Sequence, residues 1–264
     1  MSHTMPQTMP QTMPQTMFQL LGRMAVVDGG GRAIGVRAAK QQAILAVLVL
    51  RPGGVVSVDR LMTELWPDEL PATARASLQT YVYRLRRTLA PLAGHGVELA
   101  TLGNGYTLTV PDRAVDVRAF ERRFARGSQA LAAGGAAEAA ELLREALELW
   151  RGPLAPGIEV ETVLCERRRL DAMHLTASEL RAEAELRLGL HNSVIPELER
   201  LVEAHPFRES LWELLLRALA GRGRRAEALA AYRRMRDILS TELGIEPADR
   251  LRRRHQAILE GASS

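Results

Sequence analysis

A single cysteine, Cys165, stands in the 264 residues, and it excludes a disulfide framework and a thiolate zinc cluster. Aromatic residues make up only 4% of the chain, so Leu, Ala and Val must fill the cores that a 47% hydrophobic composition can build. No apolar run reaches the length of a membrane span: "AILAVLVL" at 43–50 is too short and ends at Arg51. No basic region or apolar stretch precedes Met17, so no secretion signal is expected, and the expectation is a soluble cytoplasmic protein with no membrane partner. His3, His95, His174, His191, His205 and His255 show no metal-ligand spacing. Cys165 is followed by Glu166 and arginines, with no signature of a nucleophile, and reads as a small buried thiol. No metal, no cofactor and no catalysis is expected.

Carboxylates are also missing from one long stretch. Between Glu69 and Glu98 there is no acidic residue, while Arg75, Arg84, Arg86 and Arg87 all fall there. The formal net charge is only +4, but it is unevenly placed. Residues 17–110 carry ten basic side chains (Arg23, Arg32, Arg37, Lys40, Arg51, Arg60, Arg75, Arg84, Arg86, Arg87) against six acidic ones, and residues 111–264 carry 25 of each. The whole excess lies in the first third. Such asymmetry points to a polyanionic partner for one domain, with a solvated face as the plain alternative.

Residues 1–16 repeat Thr-Met-Pro-Gln without charge, which forbids a helix and reads as a disordered tail. From Met17 the pattern changes to short β segments: "MFQLLGRMAVVD" as one strand, "DGGG" (28–31) as a turn, "RAIGVR" as a second strand. Gly30 and Gly35 have phosphate-loop spacing, but Val36 and Arg37 stand where Lys and Ser/Thr are required, so a hairpin turn is the better reading. Three helices follow. Ala38–Leu50 stops at Pro52-Gly53-Gly54. Ser57 caps the second, with Asp59 in its first turn and Leu61, Met62, Leu65 and Trp66 as its buried face. The third starts near Thr73 and carries an apolar stripe of Ala74, Leu78, Tyr81 or Val82, Leu85 and Leu89. Residues 97–110 read as two strands around an Asn104-Gly105 turn pair. Strands, three helices and a hairpin make an α+β winged helix-turn-helix domain over 17–110.

With Leu78, Leu85 and Leu89 placed inward, 100° per residue puts Arg75, Gln79, Tyr83, Arg86 and Arg87 on or beside the exposed side of the third helix, flanked by Thr80 and Arg84. A guanidinium can bond both O6 and N7 of guanine, and its charge displaces phosphate counterions. Gln can read adenine, and Thr or Tyr hydroxyls can bond phosphates. An ordinary solvated helix would pair its arginines with Glu at i±4, and this one has none. Double-stranded DNA is therefore the expected partner.

Residues 111–260 show no convincing strand. Helices are expected over 116–133, 136–150, 160–189, 193–204, 208–221, 224–241 and 247–259. Trp212, Leu215, Leu219, Ala228 and Tyr232 fit the bulky and small positions of a tetratricopeptide repeat, and Pro206 falls where that repeat closes. An all-α tetratricopeptide-like domain with a concave face suits protein binding. Arg167-Arg168-Arg169 and Arg252-Arg253-Arg254 lie among carboxylates and read as paired, solvated faces.

"AAKQQAILAVLVLRPGGVVSVDRLMTELWPDELPATARASLQTYVYRLRRTLAP", then "TLGNGYTL", "VDVRAFERR" and "AEALAAYRRMRDILSTELGIEP" (226–247), resemble the Streptomyces antibiotic regulatory proteins. The resemblance covers residues 17 to about 260. It implies an OmpR-like winged helix joined to a bacterial transcriptional activation domain (111–260). It further implies an activator of a specialised-metabolite gene cluster that binds direct DNA repeats and recruits RNA polymerase holoenzyme through its sigma subunit. A repressor using the same DNA contacts, and a helical-repeat interaction scaffold, are the alternatives. Carried onto this chain, Arg75, Gln79, Thr80, Tyr83, Arg84, Arg86 and Arg87 would meet the major groove and its phosphates, with Lys40 contributing from the first helix. Asn104, Gly105 and Tyr106 would form the wing beside the minor groove, Tyr106 being equally readable as a core residue. Asp68 and Glu69, in the loop "WPDELPA", would contact polymerase, and two copies would sit head to tail or as a homodimer. Two departures stand out: Gln42 where a basic residue is usual, and "GRM" at 22–24 in place of Gly-Pro-Leu.

Overall fold

The computed structural model describes residues 17–51 and 53–261. Residues 1–16, read from the sequence as a tail, lie outside the described residues. The chain forms two compact units: the first takes in the chain up to Glu121 together with Leu149–Asp171, the second Arg122–Glu148 and the chain from Ala172 onward.

The first unit opens with an antiparallel sheet of β1 (Phe18–Gln19), β2 (Ala25–Val27) and β3 (Ala33–Ile34), in register Phe18↔Val26 and Val26↔Ile34. The single strand expected through "MFQLLGRMAVVD" is two strands. The chain doubles back around Gly22, whose φ of +118° is a conformation that glycine adopts without steric cost. The "DGGG" stretch is the expected hairpin turn, held by the Asp28 carboxylate, which accepts from the backbone N–H groups of Gly30 and Arg32 at 2.9 Å each.

Then come α1 (Ala39–Leu50), β4 (Val56–Ser57), α2 (Val58–Leu65) and α3 (Ala74–Leu89), followed by β5 (Glu98–Leu102) and β6 (Gly105–Thr109). The Ser57 hydroxyl caps α2 by accepting from Arg60 N–H at 3.1 Å, and Asp59 sits in the first turn. Ala74, Leu78, Val82, Leu85 and Leu89 are the buried stripe of α3, so Val82 rather than Tyr81 fills the open position. Burying a leucine contributes roughly 1.5–3 kcal/mol, so three on one stripe decide which face of the helix is left for solvent. The second sheet has the order β4-β6-β5. Because Leu102 pairs with Gly105, the two-residue loop is Gly103-Asn104, one position earlier than the expected Asn104-Gly105. Gly103 supplies the positive φ, +57°, at the first loop position, as a type II′ hairpin requires.

Two buried carboxylates tie distant parts of this unit together. Asp116, fully buried at the start of α4 (Asp116–Ala132), accepts from the N–H groups of Leu20 and Leu21 at 2.9 and 3.0 Å and pairs with Arg151 at 2.6 Å. Glu64 occupies the core position on α2 that the sequence pattern assigns to Met62, which is half-buried. Its side chain is 1% exposed and accepts from the N–H of Thr162 at 3.0 Å, in the first turn of α6 (Glu161–Arg187). Burial alone would raise its pKa, but hydrogen bonds from Thr162 and Arg60 outweigh that and hold it below the ordinary glutamate value.

Two of the three limits between the units fall inside α4 and α6, and the third falls at Glu148–Leu149. The second unit also holds α5 (Ala136–Leu147), α7 (His191–Ala204), α8 (Glu209–Gly221), α9 (Arg225–Leu243) and α10 (Asp249–Glu260). Seven helices were expected after residue 111, and each is present with ends shifted by a few residues. Trp212, Leu215, Leu219, Ala228 and Tyr232 share one core with Leu198, Leu201 and Leu251, in keeping with the repeat spacing. The indole N–H of Trp212 donates to the Pro206 carbonyl at 2.8 Å, and Tyr232 stacks on His255 at 3.9 Å.

Cys165 corrects its expectation. It is exposed, and its thiol donates to the Glu161 carboxylate at 2.9 Å, a bond that raises its pKa. The first arginine triplet is paired as expected: Arg167 donates to the carbonyls of Leu154, Ala155 and Ile158, and Arg169 pairs with Glu121 and Glu166. In the second triplet Arg252 pairs with Asp249.

Candidate nucleic-acid interface

Helix α3 has its apolar stripe locked into the core, so its remaining side chains must face either solvent or the hairpin. The structure divides the expected residues between the two. Gln79, Thr80, Tyr83, Arg84 and Arg87 are exposed. They form two neighbouring i, i+4 rows, Gln79–Tyr83–Arg87 and Thr80–Arg84, spanning about 12 Å of helix. Tyr83 is 59% exposed, unusual for an aromatic ring without a partner. Thr80 donates its hydroxyl to the Ala76 carbonyl at 3.0 Å, which leaves its oxygen able to accept.

Arg75 and Arg86 do something else. The Arg75 guanidinium donates to Asn104 Oδ1 at 3.0 Å, fastening the hairpin loop to the start of α3. Arg86 donates from Nε to the Leu99 carbonyl at 2.9 Å and from Nη2 to Thr101 Oγ1 at 2.5 Å, and its guanidinium lies 5.9 Å from the Tyr106 ring centroid. Two of the four arginines in the acid-free stretch thus clamp the hairpin to α3, and the Arg84 and Arg87 side chains have no partner among the described residues. Among the described residues, no carboxylate pairs with any of the four. Elsewhere the pattern is the opposite: Arg144 meets Glu141 and Glu148, Arg208 meets Glu179, Arg217 meets Glu183, and Arg236 meets Glu246.

Three further expected residues belong to the scaffold. Tyr106 is only 6% exposed, its ring packed in the core. Gly105 is buried where β4 crosses β6: a Cβ there would stand 2.5 Å from the Val56 carbonyl oxygen. Lys40 is half-buried, its ammonium donating to the Leu65 carbonyl at the end of α2 and lying 4.9 Å from the Trp66 ring centroid. A cation at a helix C-terminus is a favourable placement, and it leaves Lys40 engaged within the fold rather than free for a duplex. Gln42, at the position where a basic residue was expected, donates to the Val36 carbonyl at 2.8 Å. Asp68 and Glu69 are exposed in the loop between α2 and α3, beside Leu70, which is exposed as well.

Sequence reasoning missed Glu64 and Asp116, whose partners lie 98 and 96 residues away. No local pattern marks such a pair. Among the described residues, no group of His, Cys, Asp and Glu is placed to hold a metal ion, and no helix is long and apolar enough to cross a membrane.

The arrangement offers a cationic, hydrogen-bonding helix face beside a rigidly held hairpin, which can follow a groove and the phosphates at its rim. Residues 36–108 match the family described as transcriptional regulatory protein, C terminal, and residues 115–259 match the bacterial transcriptional activator domain. The regulatory protein DnrI of Streptomyces peucetius is 38% identical over 241 residues, covering 89% of each chain. The transcriptional regulatory protein EmbR of Mycobacterium tuberculosis is 38% identical over 254 residues, which cover 92% of this chain and 63% of that protein. A solved structure of EmbR in complex with a low-affinity phosphopeptide superposes with a TM-score of 0.85 at 36% identity, covering 92% of this chain and 64% of that one. The chain belongs to the Streptomyces antibiotic regulatory protein family of transcriptional regulators, with an OmpR-like winged helix followed by a bacterial transcriptional activator domain.

Proposed function

We propose that this regulator binds double-stranded DNA through α3 and activates transcription of a specialised-metabolite gene cluster from the cytoplasm, acting by binding rather than catalysis. The observation that carries the reading is the face of Gln79, Thr80, Tyr83, Arg84 and Arg87, exposed and, among the described residues, without a carboxylate partner. Residues 17–110 serve as the DNA-binding domain and 111–260 as the activation domain. Two copies sit head to tail on direct repeats whose starts are about one helical turn apart. RNA polymerase holoenzyme, with its sigma subunit, is the second partner.

Salt dependence tests the DNA contact. Each phosphate neutralised contributes about −0.9 to the slope of log K against log salt concentration, so Arg84→Ala and Arg87→Ala should each weaken binding and flatten that slope by up to about one. Circular dichroism should not change, because neither side chain holds the fold together. Wild-type affinity that ignores ionic strength would refute the reading.

Polymerase contact is assigned to Asp68 and Glu69, on an exposed loop where neither holds an ion pair among the described residues. Reversing both charges to lysine should lower transcription in a reconstituted assay while leaving the DNA footprint in place. Unchanged transcription together with an unchanged footprint would remove the assignment.

A further inference from the structure

We infer that the wing meets the duplex through an uncharged apolar tip led by Leu102, so that its share of the affinity does not depend on salt. The inference rests on the DNA-binding reading above and adds to it the residue and the physical character of the wing contact.

The hairpin is short of charge. Residues 97–111 contain no Lys or Arg, and the one acidic residue, Glu98, stands at the opposite end of β5 from the loop. A wing so composed cannot add phosphate-neutralising contacts of its own. Its polar groups are moreover turned toward α3: the Asn104 side-chain oxygen is taken by Arg75, and the Thr101 hydroxyl by Arg86. Thr101 and Asn104 are exposed there as well, and beside them stands an exposed apolar side chain. Leu102, the last residue of β5 before the Gly103-Asn104 loop, is 58% exposed. Val55, 49% exposed, lies against the same turn, since a Cβ on Gly105 would stand 2.7 Å from its Cγ1.

An exposed leucine on its own is commonplace. Here it stands at the end of β5, next to a two-residue loop fastened by a hydrogen bond to the first turn of the helix whose free face is offered to DNA. A duplex engaged by Gln79, Tyr83 and Arg87 continues toward that first turn and past the fastened loop. There, an aliphatic side chain can pack on deoxyribose carbons along the minor-groove wall. Removing that surface from water is favourable and releases no counterions.

The test compares Leu102→Ala and Leu102→Lys with wild type, on a labelled duplex carrying the footprinted site and on a random-sequence duplex of equal length, over a range of salt concentrations. Leu102→Ala should weaken binding roughly tenfold at every salt concentration, the scale of withdrawing a half-buried isobutyl group, with the slope unchanged. Leu102→Lys should restore affinity at low salt and steepen the slope by about one, reporting a phosphate within reach of the tip. Melting temperatures of both variants should match wild type, as the side chain is largely in solvent. Wild-type affinity in Leu102→Ala would overturn the inference, as would a flatter slope. A change in self-association or transcription with DNA affinity intact would overturn it too, by making the tip a protein contact. Wild-type protein that fails to bind either duplex in a salt-dependent way would instead bring down the DNA reading, and this inference with it.

Discussion

Replacing Asp116 with alanine should lower the stability of the first unit by about 3–5 kcal/mol, the range for leaving buried donors without their charged acceptor. The carboxylate is fully buried and its two oxygens accept from Leu20 N–H, Leu21 N–H and Val117 N–H at 2.8–3.0 Å. Alanine strands the first two, which close the turn between β1 and β2. Arg151, the fourth donor, has a side chain 43% exposed and can turn to water, so the salt bridge is the smaller part of the loss. Asp116→Asn should be nearly as damaging, because its amide group presents N–H where the structure needs an acceptor. It also removes a negative charge from the first turn of α4, where the helix dipole favours one. A stability of about 5–15 kcal/mol is usual for a domain, so either change removes a large share of it. Urea titration followed by the fluorescence of Trp66 and Trp150, both in this unit, measures the shift. A loss under about 1 kcal/mol would mean that water replaces the carboxylate and that the β1–β2 turn is not held by it.

Asp116 also marks where the sequence stops being legible. The helices were readable because Leu and Ala recur at helical spacing between Gly and Pro breaks, and such a pattern is local. The stripe Ala74–Leu78–Val82–Leu85–Leu89 follows from the same rule. Periodicity tells which positions are turned away from the core, but not which neighbouring strand will cover one of them. Arg84 and Arg86 both read as belonging to the DNA-facing side. Only the course of β5 past α3, which gives Arg86 the Leu99 carbonyl and the Thr101 hydroxyl, sets them apart. Residues 151–159 were illegible for a related reason. Gly152, Pro153, Pro156 and Gly157 break any pattern there, and the segment is held by Leu20, Leu21 and Gly22, more than a hundred residues earlier, through backbone bonds such as Ala155 N–H to the Leu20 carbonyl at 2.8 Å.

Gly105→Ala should be the most damaging single-methyl change in the wing, costing about 2–3 kcal/mol and abolishing the footprint, and it shows how a correctly read hairpin can hide its reason. The sequence pattern takes Gly105 for a turn residue, chosen for conformational freedom. In the structure its neighbour Gly103 has that role, with a φ of +57° and nothing within 4 Å of an added Cβ. Gly105 is needed for closeness: an added Cβ would lie 2.5 Å from the Val56 carbonyl oxygen and 3.0 Å from its carbonyl carbon, and backbone cannot rotate aside as a side chain does. Overpacking of this kind costs up to about 3 kcal/mol when the surroundings can shift. The shift available is a displacement of β4, whose Ser57 pairs with Gly105 and also caps α2. Strand, cap and wing would move together, taking Leu102 and the Arg75–Asn104 bond out of register with α3. Gly103→Ala meets no neighbour and only the backbone strain of a positive φ, about 1–3 kcal/mol, and should keep the footprint. Thermal melts and footprints of the two variants side by side separate these causes: equal losses would mean that turn conformation, not the approach of β4, is what the hairpin requires of its glycines.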